Sequence, residues 1–115
     1  MRTLVKGAKL TVIVGSDERR HHRSLYGEVI NLLRQRGIAG VTLLKGSMSF
    51  GQSELIHSEH NEVTMGNLPM VIEAIDTEER ISSVAAEIAM LIDPHGVVQI
   101  QPTTMSVNPN SEGRE

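Results

Sequence analysis

The chain predicts an α+β domain whose elements run β-α-β, long loop, β-α-β. Three observations lead there. Runs rich in β-branched residues at 9–14, 40–45 and 68–75 read as strands. Two stretches with apolar residues three and four apart read as helices. Between the second and third strands lies a segment from Gly46 to Asn67, rich in Gly, Ser, His and charge, that follows neither period. A structureless loop of this length inside a small domain is uncommon and usually marks a binding element or disorder.

The first strand, Lys9-Leu10-Thr11-Val12-Ile13-Val14, is almost continuously hydrophobic and stops at Gly15-Ser16-Asp17. After the polar run Glu18 to Arg23, Ser24 is placed to cap a helix carrying Leu25, Val29, Leu32 and Leu33 on one stripe, with Gly37 as its stop. Arg34 and Arg36 suit the negative end of that helix. Gly40 to Lys45 is the second strand. The third is Leu68 to Ile75, which tolerates Pro69 because it stands at the start. Asp76 followed by Glu79 has capping-box spacing, ahead of a stripe of Ile81, Val84, Ala85, Ile88, Leu91 and Ile92 that ends before Pro94. Gly96 to Gln101 is a short fourth strand. Residues 1–7 are then an N-terminal extension, 8–104 the folded domain with 46–67 as its loop, and 105–115 a polar tail expected to be disordered.

This order is the split-βαβ, or ferredoxin-like, arrangement: a four-stranded antiparallel sheet with two helices on one face. The other face is open. Leu10, Val12 and Val14 fall on one side of the first strand and Thr11 and Ile13 on the other, while Val71 and Ile75 flank Glu73 opposite Met70, Ile72 and Ala74. Because both sides are largely apolar, a second copy of the chain is expected to cover the open one. Glu73, inside an apolar strand, needs a partner. A neighbouring subunit is the first expectation, with Lys9 or a ligand hydroxyl as alternatives.

Composition narrows the function. The 115 residues are 39% hydrophobic, and Tyr26 and Phe50 are the only aromatics, so the core is aliphatic and base stacking is disfavoured. A formal charge of −3 argues against nucleic acid as a partner. The absence of cysteine excludes disulfides, thiolate nucleophiles and Cys-ligated zinc. No signal-like or membrane-spanning run is evident, which predicts a cytoplasmic protein.

Two clusters carry possible chemistry. His57-Ser58-Glu59-His60 holds two imidazoles and a carboxylate that could share a divalent metal, although the spacing is unspecific and a hydrated loop surface is the simpler reading. Asp17-Glu18-Arg19-Arg20-His21-His22-Arg23 follows the carboxyl end of the first strand, where its cations could pair a phosphate or merely balance nearby acids. No nucleophile-elbow pattern frames any of the loop serines.

Several stretches together resemble the domain of unknown function 190 family, a PII-like branch of the nitrogen regulatory PII superfamily. They are Gly15-Ser16-Asp17, Ser24-Leu25-Tyr26, the run Arg36 to Gly46, Phe50-Gly51, Ile56-His57 and the run Leu68 to Glu79. The resemblance implies a ferredoxin-like homotrimer whose 46–67 segment is a T-loop, docking on a protein partner such as a membrane transporter or channel according to a nucleotide held between subunits. Gly51-Gln52 resembles the Gly-Gln with which PII proteins approach phosphates. The chain departs from PII at Asp93-Pro94-His95-Gly96, which is short and lacks lysine, and at Gln99 and Gln101, where PII proteins place arginines.

The leading expectation is a non-enzymatic regulator with a small effector, an adenine or cyclic nucleotide, contacted by Gly46, Gly51, Gln52, Arg19 and His57. The alternatives are a metal-binding or hydrolytic trimer using His57 and His60, and an interaction module without a small ligand.

Overall fold

The computed structural model describes residues 2–47 and 67–107. In chain order the elements are β1 (Thr3–Gly15), β2 (Arg19–Arg20), β3 (Arg23–Ser24), α1 (Leu25–Gln35), β4 (Gly40–Lys45), β5 (Pro69–Asp76), α2 (Glu78–Ile92) and β6 (Val97–Val107). Four strands form one sheet in the order β4-β5-β1-β6, and all its pairings are antiparallel. The expected ferredoxin-like architecture is therefore present, with a small β2–β3 hairpin inserted between β1 and α1.

Pattern becomes packing on one side of the sheet. Leu10, Val12 and Val14 of β1 and Met70, Ile72 and Ala74 of β5 are buried with Leu25, Val29 and Leu33 of α1. Ile81, Val84, Ala85, Ile88 and Ile92 of α2 complete the same core. Leu32 and Leu91, on the predicted stripes, pack against it partly buried.

Several expectations need correction. β1 begins at Thr3 and β6 ends at Val107, because the two pair continuously from Thr3↔Val107 to Ile13↔Val97. Residues 3–7, read as an extension, and 105–107, read as the start of a disordered tail, are therefore strand, and the fourth strand continues past Gln101. Pro102 is tolerated because β6 is a sheet edge. The cap of α2 is Thr77 rather than Asp76, its hydroxyl accepting from the Arg80 amide at 3.3 Å. Asp76 is 1% exposed and holds a corner: its carboxylate accepts from the Thr77 amide at 2.7 Å and the Ala39 amide at 2.9 Å. Ser24 does stand at the N-cap of α1, but without a side-chain capping hydrogen bond. Glu73 pairs with Lys9 at 3.3 Å, within the subunit.

The open face is ordered in rows. The register places Leu44, Val71, Ile13 and Val97 side by side across all four strands. The next row, Thr42, Glu73, Thr11 and Gln99, is polar. Leu44 and Val97, at the ends of the apolar row, are 52% and 53% exposed.

Candidate functional site

One end of the sheet gathers most of the unusual local structure. β1 finishes there, β4 leaves, β5 enters and α2 turns into β6, so three connections converge on the same rim. The turn Gly15–Glu18 is its centre. Ser16 donates its amide to the Leu68 carbonyl at 2.7 Å, and the Leu68 amide donates to Ser16 Oγ at 3.0 Å. The Asp17 amide donates to Asn67 Oδ1 at 2.9 Å. These three bonds clamp Asn67 and Leu68, just before β5, onto the end of β1. A side chain at Gly15 would collide with the Asn67 amide, so glycine is what allows the approach.

The departing end of the loop is tied as well. Gly46 donates its amide to the Pro69 carbonyl at 2.7 Å, and a Cβ there would lie 2.6 Å from the Pro69 ring. Its N–H is therefore committed to the loop base and is not available to a ligand.

On the other flank, Glu18 links the turn to the α2–β6 connection. Its Oε1 accepts from the Gly15 amide at 3.3 Å while Oε2 faces His95 Nδ1 at 3.6 Å. Gly96 has φ +73°, and a Cβ there would approach the Ile13 carbonyl oxygen to 2.5 Å, so this connection lies tightly on β1. Residues 93–96 place His95 at the rim and supply no lysine.

From Glu18 the chain enters the β2–β3 hairpin, where Arg19 pairs with Ser24 and Arg20 with Arg23. Residues 19–23 are all exposed. Of the residues singled out from the sequence, Arg19 and Gly46 are thus at this rim, whereas Gly51, Gln52, His57 and His60 lie outside the described residues. Among the described residues no three His, Asp or Glu side chains converge as a metal site.

Asn67, Ser16 and His95 were not singled out as site residues, and Glu18 stood only as an acid within the mixed-charge run 17–23. The only sequence signal for them was position, since the Gly-Ser-Asp turn and the loop's end are 50 residues apart and nothing local announces that they meet. A second feature lies at the far end of the helical layer, where a groove of about 270 Å³ is lined by Arg36, Ile38, Arg80 and Glu87 among others. Its wall is the Arg36–Glu87 pair, with Nε to Oε2 at 2.9 Å. The hydrogen bond to Arg36 holds the Glu87 carboxyl below its ordinary range, and the same bond raises Arg36.

A four-stranded antiparallel sheet with two helices in the ferredoxin-like order is the fold of PII-like proteins, and the chain has that fold. CPII of Thiomonas intermedia, solved with ADP and bicarbonate, superposes with a TM-score of 0.66 over 90% of this chain and 91% of its own, at 18% identity. A PII-like signaling protein of Thermus thermophilus gives 0.58 over 95% and 96%, at 16% identity. Arabidopsis thaliana PII bound to citrate gives 0.53 over 85% and 78%, at 19% identity. At these identities the likeness is one of fold.

The family follows from the sequence itself. The model of the domain of unknown function 190 family, an uncharacterized ACR family, matches residues 7–105, and the chain belongs to that family. The UPF0166 protein of Methanocaldococcus jannaschii is 25% identical over 97 residues, covering 84% of this chain and 89% of its own length. A UPF0166 protein of Aquifex aeolicus is 27% identical over 85 residues, covering 74% and 81%. No helix among the described residues is long and apolar enough to cross a membrane.

Proposed function

We propose that the chain is a PII-like regulatory protein and not an enzyme: a homotrimer that holds a small effector in its intersubunit clefts and engages a partner protein through residues 46–67. The observation that carries this reading is the clamped loop base. Asn67 and Leu68 hang on the Gly15–Glu18 turn, whose Glu18 carboxylate also faces His95 at 3.6 Å, so a ligand that moves the turn or the connector changes the anchor of residues 46–67. The apolar row Leu44, Val71, Ile13 and Val97 supports assembly, since it offers neighbouring copies a surface to bury.

Adenine nucleotides are the first choice of effector because CPII was solved with ADP and AMP. Residues 93–96 carry one histidine and no lysine, which favours a mono- or diphosphate over a triphosphate. Arg19, Gly51, Gln52 and His57 are the proposed contacts, with Gly46 shaping the loop's exit.

Isothermal calorimetry with AMP, ADP, ATP and cyclic dinucleotides, together with sedimentation equilibrium, tests the reading. Binding of AMP or ADP by a particle of three times the 12.6 kDa chain mass is expected. A monomer that binds none of them at millimolar ligand would sink it.

A further inference from the structure

The β2–β3 hairpin violates several local preferences at once. Its turn residues, His21 and His22, have φ of 53° and 70°, the backbone of a type I′ turn. Histidine is among the non-glycine residues that visit positive φ, but two of them in succession stand where Asn-Gly or Gly-Gly is the favoured pair. Across the turn, Arg20 stands directly opposite Arg23, a like-charge pair where opposite charges would stabilise. With two residues in each strand and residues 19–23 exposed, neither pairing nor burial offsets these choices.

The hairpin is nevertheless firmly mounted. Leu25 donates its amide to the Glu18 carbonyl at 2.8 Å, closing the open end, and Arg20 Nη1 donates to the Leu91 carbonyl at 3.2 Å. That carbonyl bears no net charge, and among the described residues neither Arg19 nor Arg20 has a carboxylate partner. Arg23 meets Glu28 at 3.6 Å but its side chain remains 70% exposed. Local conflict held on a rigid mount is the pattern of a site whose ligand resolves the conflict.

We propose that this hairpin is a phosphate-binding element. Arg20 and Arg23 take a phosphate group between their guanidinium groups, and ring N–H groups of His21 and His22 donate from the tip. A bound dianion converts the repulsion of the Arg20–Arg23 pair into two charge-assisted contacts, and the planar guanidinium fork suits phosphate oxygens. Arg19, paired with Ser24, belongs to the opposite face of the hairpin and is not part of the grip.

Two sources carry this chemistry. One is the phosphate end of the effector nucleotide, which rests on the regulatory reading above. The other is a free phosphate-class anion, which would be a separate input.

Calorimetry on the full chain with ADP, adenosine, pyrophosphate and sulfate separates these cases. Two variants are compared with the parent: Arg23→Gln, and the double variant His21→Asn, His22→Gly. Affinity for ADP or pyrophosphate is expected to fall at least tenfold in both. The double variant should at the same time unfold at a higher temperature, since Asn-Gly relieves the turn, so a loss of binding there is not a loss of fold. Hairpin-dependent binding of ADP alone identifies the effector as the source, whereas hairpin-dependent pyrophosphate binding without nucleotide binding identifies the free anion and defeats the nucleotide reading. If ADP binds as tightly in both variants as in the parent, the nucleotide reading stands and the hairpin proposal is overturned. It is also overturned if neither ADP nor pyrophosphate binds the parent, or if sulfate binds as tightly as pyrophosphate, which would show an adventitious anion surface only.

Discussion

Asn67 Oδ1 accepts a hydrogen bond from the Asp17 amide at 2.9 Å, joining the two ends of a 50-residue stretch of chain at the rim of the sheet. The contact exists only because position 15 has no side chain, since a Cβ there would occupy the space of the Asn67 amide.

Asn67→Ala should therefore cost about 1 kcal/mol, the usual net value of one partly exposed hydrogen bond. Gly15→Ala should cost at least as much by pushing the amide away. The informative measurement is the double-mutant cycle in urea: because both changes break one latch, their effects should fall short of adding by about 0.5 kcal/mol or more. Full additivity would mean that Gly15 matters for some other reason. If the latch transmits effector binding, Asn67→Ala should also raise protease sensitivity of the loop in the presence of ligand.

Asp76 presents a different kind of dependence. Its buried carboxylate satisfies the amides of Ala39 and Thr77 and lies 4.0 Å from Arg80 Nε, so it ties the end of β5 to the start of β4 and of α2. Asp76→Ala orphans both amides and should cost about 3 kcal/mol, measured by chemical denaturation. Asp76→Asn keeps one acceptor oxygen and should lose roughly half of that. Equal effects of the two substitutions would show that charge, not acceptor count, is what the corner needs.

The Arg36–Glu87 pair gives a pH signature. Glu87 has its folded pKa depressed by the hydrogen bond to Arg36, so its contribution is present above the ordinary carboxylate pKa and lost as pH falls through the lower, folded value. Both groups are solvent-accessible, so the effect is small and screened by salt. The parent should unfold at a higher temperature than Glu87→Gln at neutral pH, and the gap should close in acid. A gap that persists or widens in acid contradicts this assignment.

How much of this was legible in the sequence depends on range. Val12, Val29, Ile72 and Ile88 declared their faces through local period alone, and the structure buries all four. The ends of β1 and β6 were missed because Gly7 and Pro102-Thr103-Thr104 carry turn-like composition, and only their mutual pairing makes them strand. The β2–β3 hairpin was missed because His21-His22, though both at positive φ, lacks the Asn-Gly or Gly-Gly signature by which such turns are recognised. Asp76 had capping-box spacing, yet the amide of Ala39, far away in sequence, claims its carboxylate and leaves the cap to Thr77. For the site, Arg19 and Gly46, expected as ligand contacts, lie at the rim, whereas the latch residues Ser16 and Asn67 act only in a pair that no local pattern reveals.

The apolar row on the open face supplies the last prediction. Leu44, Val71, Ile13 and Val97 are contiguous across the four strands, and none of them belongs to the helix-side core. Leu44→Glu places a carboxylate in that row. In an isolated subunit the change sits on a half-exposed surface and should shift stability by no more than about 0.5 kcal/mol. In a trimer that buries the row, the unpaired charge must be desolvated or neutralised, a penalty of at least several kcal/mol in association. Sedimentation equilibrium should accordingly show the variant as a monomer at concentrations where the parent is a trimer, with cooperative unfolding retained. If effector binding needs groups from two subunits, calorimetry on this folded monomer should show it lost, although no residue of the rim has been touched. A variant that stays trimeric would place the subunit contact elsewhere on the molecule, while a monomer that still binds nucleotide would put the whole site within one chain.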